Sequence, residues 1–364
     1  MRIAIVNRHL RDGAGGSELQ CDLIARGLVA RGHDVLHVVA SDGDALLDDL
    51  PYACVRAADA ASIVAHCVAW GADVAYWRMN RLGLPAFVRG CRMAGLPVVL
   101  AASSNDDVAR WPEERMPGLR SAGVRDLLWE LRVRIRHRAS YAAVGAVAAL
   151  TVQRHDFLGR VPTVHQAVVR SLVDERTEAF AWPRPYVAWV ASLKRRKRPE
   201  LLPVLAERLA GHGVDLLVAG ALQDAGQARM FEGGGASRNL HHLGVIGQAE
   251  VNGLLEGARC VVNTSEEEGF SNVLIHAWWH GTPTVTLEHD PDGLIATHGL
   301  GVSARGDLGR LLDGLERYAE DPRSAADAGA LAATLARTLF DADANLDVLE
   351  ELLSDVAGGA AAGR

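Results

Sequence analysis

The sequence predicts an α/β protein made of two Rossmann-like, doubly wound parallel-sheet domains that face a cleft. Three observations carry that reading. Short apolar runs alternate with helical segments along most of the chain, the pattern of parallel strands joined by helical crossovers. At 364 residues the chain is too long for one ordinary core and suits two, of roughly 150 to 200 residues each. Near the middle, Trp182-Pro183-Arg184-Pro185 sets two prolines that forbid helix and remove backbone donors, and the alternation restarts after them.

The first half opens with a strand over residues 3–7, an apolar run of the kind a parallel sheet buries on both faces. Further strands are expected at 34–39, 74–77, 97–101 and 146–151, with helices at 17–31, 63–70 and 84–94 between them. In the second half the strands fall at 186–191, 215–219, 239–243, 260–264, 284–287 and near Gly301-Val302. Its helices fall at 199–210, 250–256, 273–280 and 308–319. From residue 321 the chain reads as Ala-rich helix ending in a frayed Gly-Gly-Ala-Ala-Ala-Gly-Arg tail. The expected domains are therefore 1–180 and 181–340, followed by a closing helix and tail over 341–364.

Composition narrows the function classes. With 38 basic and 45 acidic residues the formal charge is −7 and the isoelectric point about 6.1, which argues against a general nucleic-acid binder. Five cysteines without paired or metal-type spacing fit reduced thiols in a cytoplasm. The strand at the very start leaves no room for a signal peptide, and no apolar run approaches the roughly 20 residues that cross a bilayer. Abundant Ala, Arg, Gly and Val suggest a bacterial gene.

The most informative stretch runs from Asn263 to Ala277. Cys260-Val261-Val262 reads as a buried strand, Asn263-Thr264-Ser265 as its polar end, and Val273, Leu274, Ala277 and Trp278 recur at helical spacing. The backbone N–H groups of Gly269, Phe270, Ser271, Asn272 and Val273 thus lie at a helix N-terminus, where free donors and the positive dipole end favour an anion such as phosphate. Glu268 beside them can accept hydrogen bonds from hydroxyls. A carboxylate next to an anion site suits a polyol carrying phosphate; the plainer alternative is a glycine turn whose glutamates complement the helix dipole.

Glu-Gly-Phe-Ser-Asn-Val-Leu-Ile-x-Ala-Trp, followed by Gly281-Thr282-Pro283-Thr284-Val285, resembles the donor-site signature of the retaining family 4 glycosyltransferases of GT-B fold. The resemblance implies transfer of a sugar from a nucleotide diphosphate, with Glu268 as the first glutamate of the signature. The family's second glutamate, which holds the nucleotide ribose, falls on His276. The family also places an Arg after the first strand of this half and a Lys four or five residues later, both on the donor diphosphate. Here the Arg position holds Ser192, while Lys197 matches the Lys, and Lys194, Arg195 or Arg196 must make good the missing charge. By the same resemblance the closing helix returns to the first domain.

Other segments are less specific. Gly15-Gly16, followed by Ser17 as a plausible N-cap, makes a turn open to close ligand approach, though its glycine spacing is not that of a dinucleotide fingerprint. Relatives carry a similar Gly-Gly-Ser/Ala-Glu loop facing donor and acceptor. In the polar cluster after the strand at 97–101, Asp106 matches the residue that contacts the transferred sugar in many relatives, with Asp107 able to serve as a helix cap. Residues 127–138 are apolar early and basic late, which suits either a solvated surface helix or contact with an anionic membrane surface. His241-His242 point to opposite faces of a strand and the Asp290-Pro291-Asp292-Gly293 segment reads as a turn, so no metal site is expected.

Together these point to a metal-independent, cytoplasmic glycosyltransferase with retention, needing no cofactor beyond its nucleotide-sugar co-substrate. Glu268, Asp106 and Lys197 are the expected catalytic residues. Donor contacts are expected from Gly15, Gly16, Ser192, Arg196, Lys197, Glu268, Gly269, Phe270, Ser271, Asn272, Val273 and His276. The acceptor would be a saccharide, a lipid-linked species or a small molecule, with contact at the inner membrane face as an option. Ser192 and His276 keep two alternatives open: a non-catalytic partner protein, and a nucleotide-sugar epimerase of the same fold.

Overall fold

A computed structural model describes residues 1–12, 15–42, 49–79, 83–102, 132, 144–149, 165–231, 238–266 and 268–362. The chain divides into two compact units, Met1–Leu172 with Ala342–Arg364, and Val173–Asp341.

The first unit holds a seven-stranded, all-parallel sheet of β1 (Arg2–Asn7), β2 (Asp34–Val39), β3 (Ala53–Arg56), β4 (Val74–Trp77), β5 (Val98–Ala102), β6 (Ala146–Ala149) and β7 (His165–Val168), in the order β3-β2-β1-β4-β5-β6-β7. Strand alternation sorts its side chains onto two faces. Ile3 and Ile5 pack with Cys21, Ile24 and Leu28 of α1 (Gly16–Ala30) and with Leu346, Leu349 and Leu353 of the closing helix Ala342–Ala362. Ala4 and Val6 face Ile63 and Cys67 of α2 (Ala60–Trp70) and Phe87 and Cys91 of α3 (Leu84–Ala94). Two strands go beyond the sequence expectation. β3 and β7 are the sheet edges, short and with little apolar signal: β3 is only partly buried, and β7 reads His-Gln-Ala-Val.

The second unit repeats the plan with β8 (Tyr186–Val190), β9 (Asp215–Ala219), β10 (Leu240–Gly244), β11 (Val261–Asn263), β12 (Thr284–Thr286) and β13 (Gly301–Ser303), parallel throughout in the order β10-β9-β8-β11-β12-β13. Its helices are α4 (Leu202–Ala210), α5 (Ala225–Ala228), α6 (Gln248–Glu256), α7 (Asn272–Trp279), α8 (Leu294–His298), α9 (Leu308–Glu320) and α10 (Pro322–Leu339). Leu202, Leu205, Leu311 and Leu315 cover one face of the sheet, and Leu254, Leu255 and Ala277 the other. The Ala-rich tail is two helices, not one. It breaks at Phe340, a buried ring held among Phe270, Trp278 and Ala336, so α10 stays with the second unit and only the closing helix joins the first.

The division falls between Leu172 and Val173 instead of at 180–181. Asn252 of α6 explains this, because its Nδ2 donates to the carbonyls of Asp174 and Arg176 at 2.6 and 2.7 Å and ties that strand of chain to the second unit. Gly253 permits the approach, since a Cβ there would lie 1.9 Å from the Glu178 carbonyl oxygen. The Pro183-Pro185 segment is likewise pinned, with Trp182 Nε1 donating to Asp215 at 2.8 Å and Arg184 pairing with the same carboxylate at 2.9 Å. Among the described residues, no helix is long and apolar enough to cross a membrane.

Candidate functional site

In an open parallel sheet, ligands lie beyond the carboxyl ends of the strands, at the point where successive connections turn to opposite sides. In the second unit that point lies between β8 and β11, and the two loops leaving these strands are bound to each other. From β8 the chain runs through Ser192 to a 3-10 turn, Arg195–Lys197, and leaves it through Arg198 in the left-handed region at φ 53°. From β11 it runs through Thr264, Ser265 and Glu268 into α7. Thr264 Oγ1 donates to the Lys197 carbonyl at 2.5 Å while accepting from Trp189 Nε1 at 2.9 Å, and the Glu266 amide donates to the Arg196 carbonyl at 3.0 Å.

These bonds bring Lys197 and Glu268 together. Lys197 Nζ sits 2.7 Å from Glu268 Oε1, and the two side chains are 15% and 10% exposed. The same oxygen accepts from Asn263 Nδ2 at 2.9 Å and Ser265 Oγ at 2.5 Å, whereas Oε2 takes none of these bonds. Burial alone would push the Glu268 carboxyl up. The Lys197 charge and the hydrogen bonds from Lys197, Ser265 and Asn263 outweigh it and hold the group down at about 2.

Around this pair, Lys194, Arg195 and Arg196 are exposed. Ser271 is the N-cap of α7 and makes no side-chain cap bond, so the first turn of that helix is not closed by its own cap. Gly269 is half-buried between Glu268 and this turn. Phe270 turns the other way, edge-on to Trp278 and Phe340 in the core, so its ring packs and only its backbone borders the site. Val273 also packs, against the α6 side of the sheet. Ser192 stands where β8 ends, and its backbone N would lie 3.1 Å from a Cβ on Gly220.

His276, one turn into α7, is 1% exposed. Its Nδ1 lies 2.9 Å from Asn252 Oδ1. Asn252 spends Nδ2 on the two carbonyls of the 174–176 segment, so Oδ1 is the acceptor and His276 Nδ1 carries the proton. Nε2 is then an unprotonated acceptor, buried and without a partner among the described residues. Burial, with the nearby His280, lowers His276 to about 4 despite Asp174.

In the first unit, Gly15 is the N-cap of α1, extended at φ −137°, and no side chain caps it. Ser17 is not the cap. It lies in the first turn, accepts from Asn7 Nδ2 at 3.0 Å and donates to the Arg78 carbonyl at 3.3 Å. Gly16 follows as the first helical residue, and the Glu18 carboxylate folds back over Gly15. Asp106, Asp107 and the basic segment 127–138, apart from Arg132, lie outside the described residues. His241 faces Asp215 and Trp182, whereas His242 Nε2 bonds the Gly220 carbonyl and its ring stacks on Phe231, so the two point apart. Asp290 caps α8 by accepting from the amides of Ile295 and Ala296.

Two other features lie away from this cluster. His212, Glu316 and Glu320 present ligand atoms that could gather round a metal ion, but Arg208 already pairs with Glu316. A groove of about 660 Å³ lined by Phe180, Arg184, Arg259 and Pro283 opens at the amino ends of the strands, opposite the edge where the sheet's connections diverge. The side chains that hold Glu268 from below, Asn263 and Ser265, escaped the sequence reading except as a polar strand end; their bonding depends on how sharply the chain turns after β11.

Residues 184–321 match the sequence profile of the family described as Glycosyl transferases group 1. No curated protein matches the chain. Among solved structures, it is similar to sucrose-phosphate synthase from Thermosynechococcus elongatus, at 16% identity and a TM-score of 0.80 over 99% of this chain and 100% of that one. HepE of Anabaena, solved with UDP and glucose, is 19% identical with a TM-score of 0.73 over 98% and 100%. WaaG, a glycosyltransferase of lipopolysaccharide biosynthesis, is 17% identical with a TM-score of 0.67 over 98% and 100%. The fold is therefore GT-B, two Rossmann-like parallel-sheet units.

Proposed function

We propose that this GT-B chain is a retaining, metal-independent glycosyltransferase that moves a sugar from a nucleotide diphosphate to an acceptor hydroxyl. The observation that carries the reading is the buried Lys197–Glu268 pair where the β8 and β11 loops meet. Lys197, Arg196 and their exposed basic neighbours neutralise the departing diphosphate, with the amides from Gly269 to Val273 completing the anion site. Glu268, ionised and with Oε2 outside the Lys197 bond, orients hydroxyls of the transferred sugar. Catalysis is positional and electrostatic and needs no protein nucleophile. Gly15 and Gly16 serve the donor and Asp106 the transferred sugar, as the family resemblance implies, and His276 Nε2 accepts from one nucleotide hydroxyl. The nucleotide sugar is a co-substrate, no resident cofactor takes part, and the protein works in the cytoplasm.

Ser192 and the burial of His276 favour a second reading, a non-catalytic member that has lost its grip on the ribose. Calorimetric titration with UDP, GDP, ADP and TDP separates the two. The transferase binds at least one of them, and Glu268→Ala removes transfer while leaving the fold intact. Silence with all four nucleotides would sink the enzyme.

A further inference from the structure

The first sheet has its own divergence point, between β1 and β4, and Arg78 stands directly on it. Its amide donates to the Val6 carbonyl at 3.1 Å, which fixes the residue against the end of β1. Arg78 is 4% exposed, yet its guanidinium has one hydrogen bond among the described residues, a long 3.5 Å contact from Nη1 to the Tyr76 hydroxyl. Nε has no partner. Among the described residues no carboxylate pairs with it: Asp22 is engaged by Tyr52 and Arg26, and Glu18 folds over Gly15. Among the described residues, Asn7, Ser17 and the Cys21 thiol on which the Arg78 charge acts are neutral neighbours.

An unpaired guanidinium in such a place costs free energy unless an anion meets it. We propose that Arg78 is the anchor of an oxyanion site at the carboxyl edge of the first sheet, which takes the phosphate group of a phosphorylated acceptor. The planar fork of Nε and the two Nη atoms matches a phosphate, and the Ser17 hydroxyl lies within reach of the same strand end. Only the word acceptor rests on the transferase reading; the anion site does not.

The test is hydrogen exchange read by peptide on the full chain, with inorganic phosphate or glucose 6-phosphate at ionic strength held constant by chloride. Peptides over 16–30 and 74–79 should gain protection in the wild type and in Lys197→Gln, and should not in Arg78→Met. Without phosphate, Arg78→Met should melt at or above the wild-type temperature, because an apolar chain of similar length replaces an uncompensated charge. A lower melting temperature for Arg78→Met would mean that the guanidinium serves the fold. Protection confined to the 194–197 loop, or unchanged in Arg78→Met, would overturn the site. Protection by inorganic phosphate but not by the sugar phosphate would overturn the acceptor assignment alone. UDP protection of the second unit reports independently on the transferase reading.

Discussion

Lys197 and Glu268 neutralise each other before any ligand arrives, so a diphosphate must draw Lys197 towards itself while Asn263 and Ser265 keep the carboxylate in place. Breaking a buried pair from one side leaves the other charge uncompensated, at about 3 kcal/mol. Lys197→Met and Glu268→Met should each destabilise the second unit by that order in urea titration, and the double variant by much less than their total. Acid acts in two windows. His37 and His276 are held near 4 by burial, so from pH 6.5 down to about 4 the unfolded chain binds more protons than the folded one. Each then removes up to about 1.4 kcal/mol of stability per pH unit. The Glu268 contribution is whole above pH 4.5 and drains only below it, as pH falls towards 2. Urea midpoints measured from pH 7.5 to 4.5 should fall, with a shallower slope in His37→Gln. Lys197 and Glu268 stood out in the sequence because one belongs to a basic run after a strand and both fall on positions of the family's donor-site pattern. Arg78 did not, because a lone arginine after a strand looks like any solvated cation until its burial is known.

At the scale of elements, the loop leaving β8 is set by how closely β8 and β9 end together. Gly220 adopts φ 148°, and a Cβ there would sit 1.8 Å from the Ala191 carbonyl oxygen, a backbone atom that cannot swing aside. Gly220→Ala should therefore cost about 2–4 kcal/mol and displace the chain from Ser192 to Lys197. Thermal unfolding checks the first effect. Nucleotide affinity checks the second, and should fall more than stability alone explains. The central strands of both sheets were readable as apolar runs, since burial on both faces demands continuous hydrophobic sequence. The edges β3 and β7 escaped because a strand with one free side needs no such run, and their pairing comes from the sheet and not from their own residues.

At the scale of the molecule, the first unit is assembled from both ends of the chain. Leu346, Leu349, Leu352, Leu353 and Val356 lie buried against its sheet, and Arg31 ion-pairs with Asp343, Asp347 and Glu350 of the same helix. At about 1.5–3 kcal/mol for each buried side chain, the helix contributes as much as the whole stability of an ordinary domain. Deleting residues 342–364 should abolish the cooperative transition of the first unit and leave that of the second, as calorimetry and exchange by peptide would show. Retention of both transitions would refute the estimate. The repeated parallel-sheet architecture and the returning helix could be expected from strand rhythm and family resemblance, whereas the assignment of 173–180 depended on the grip of Asn252, which no local pattern announces. The closing helix also sets a timetable. During synthesis the second unit is complete before the helix that the first sheet needs has been made, so at roughly 5–20 residues per second the first unit waits roughly ten to forty seconds with one face of its sheet covered by α1 but not by the closing helix. The half of the protein that is translated first is therefore the half that folds last, and during that interval it is the natural client of a chaperone.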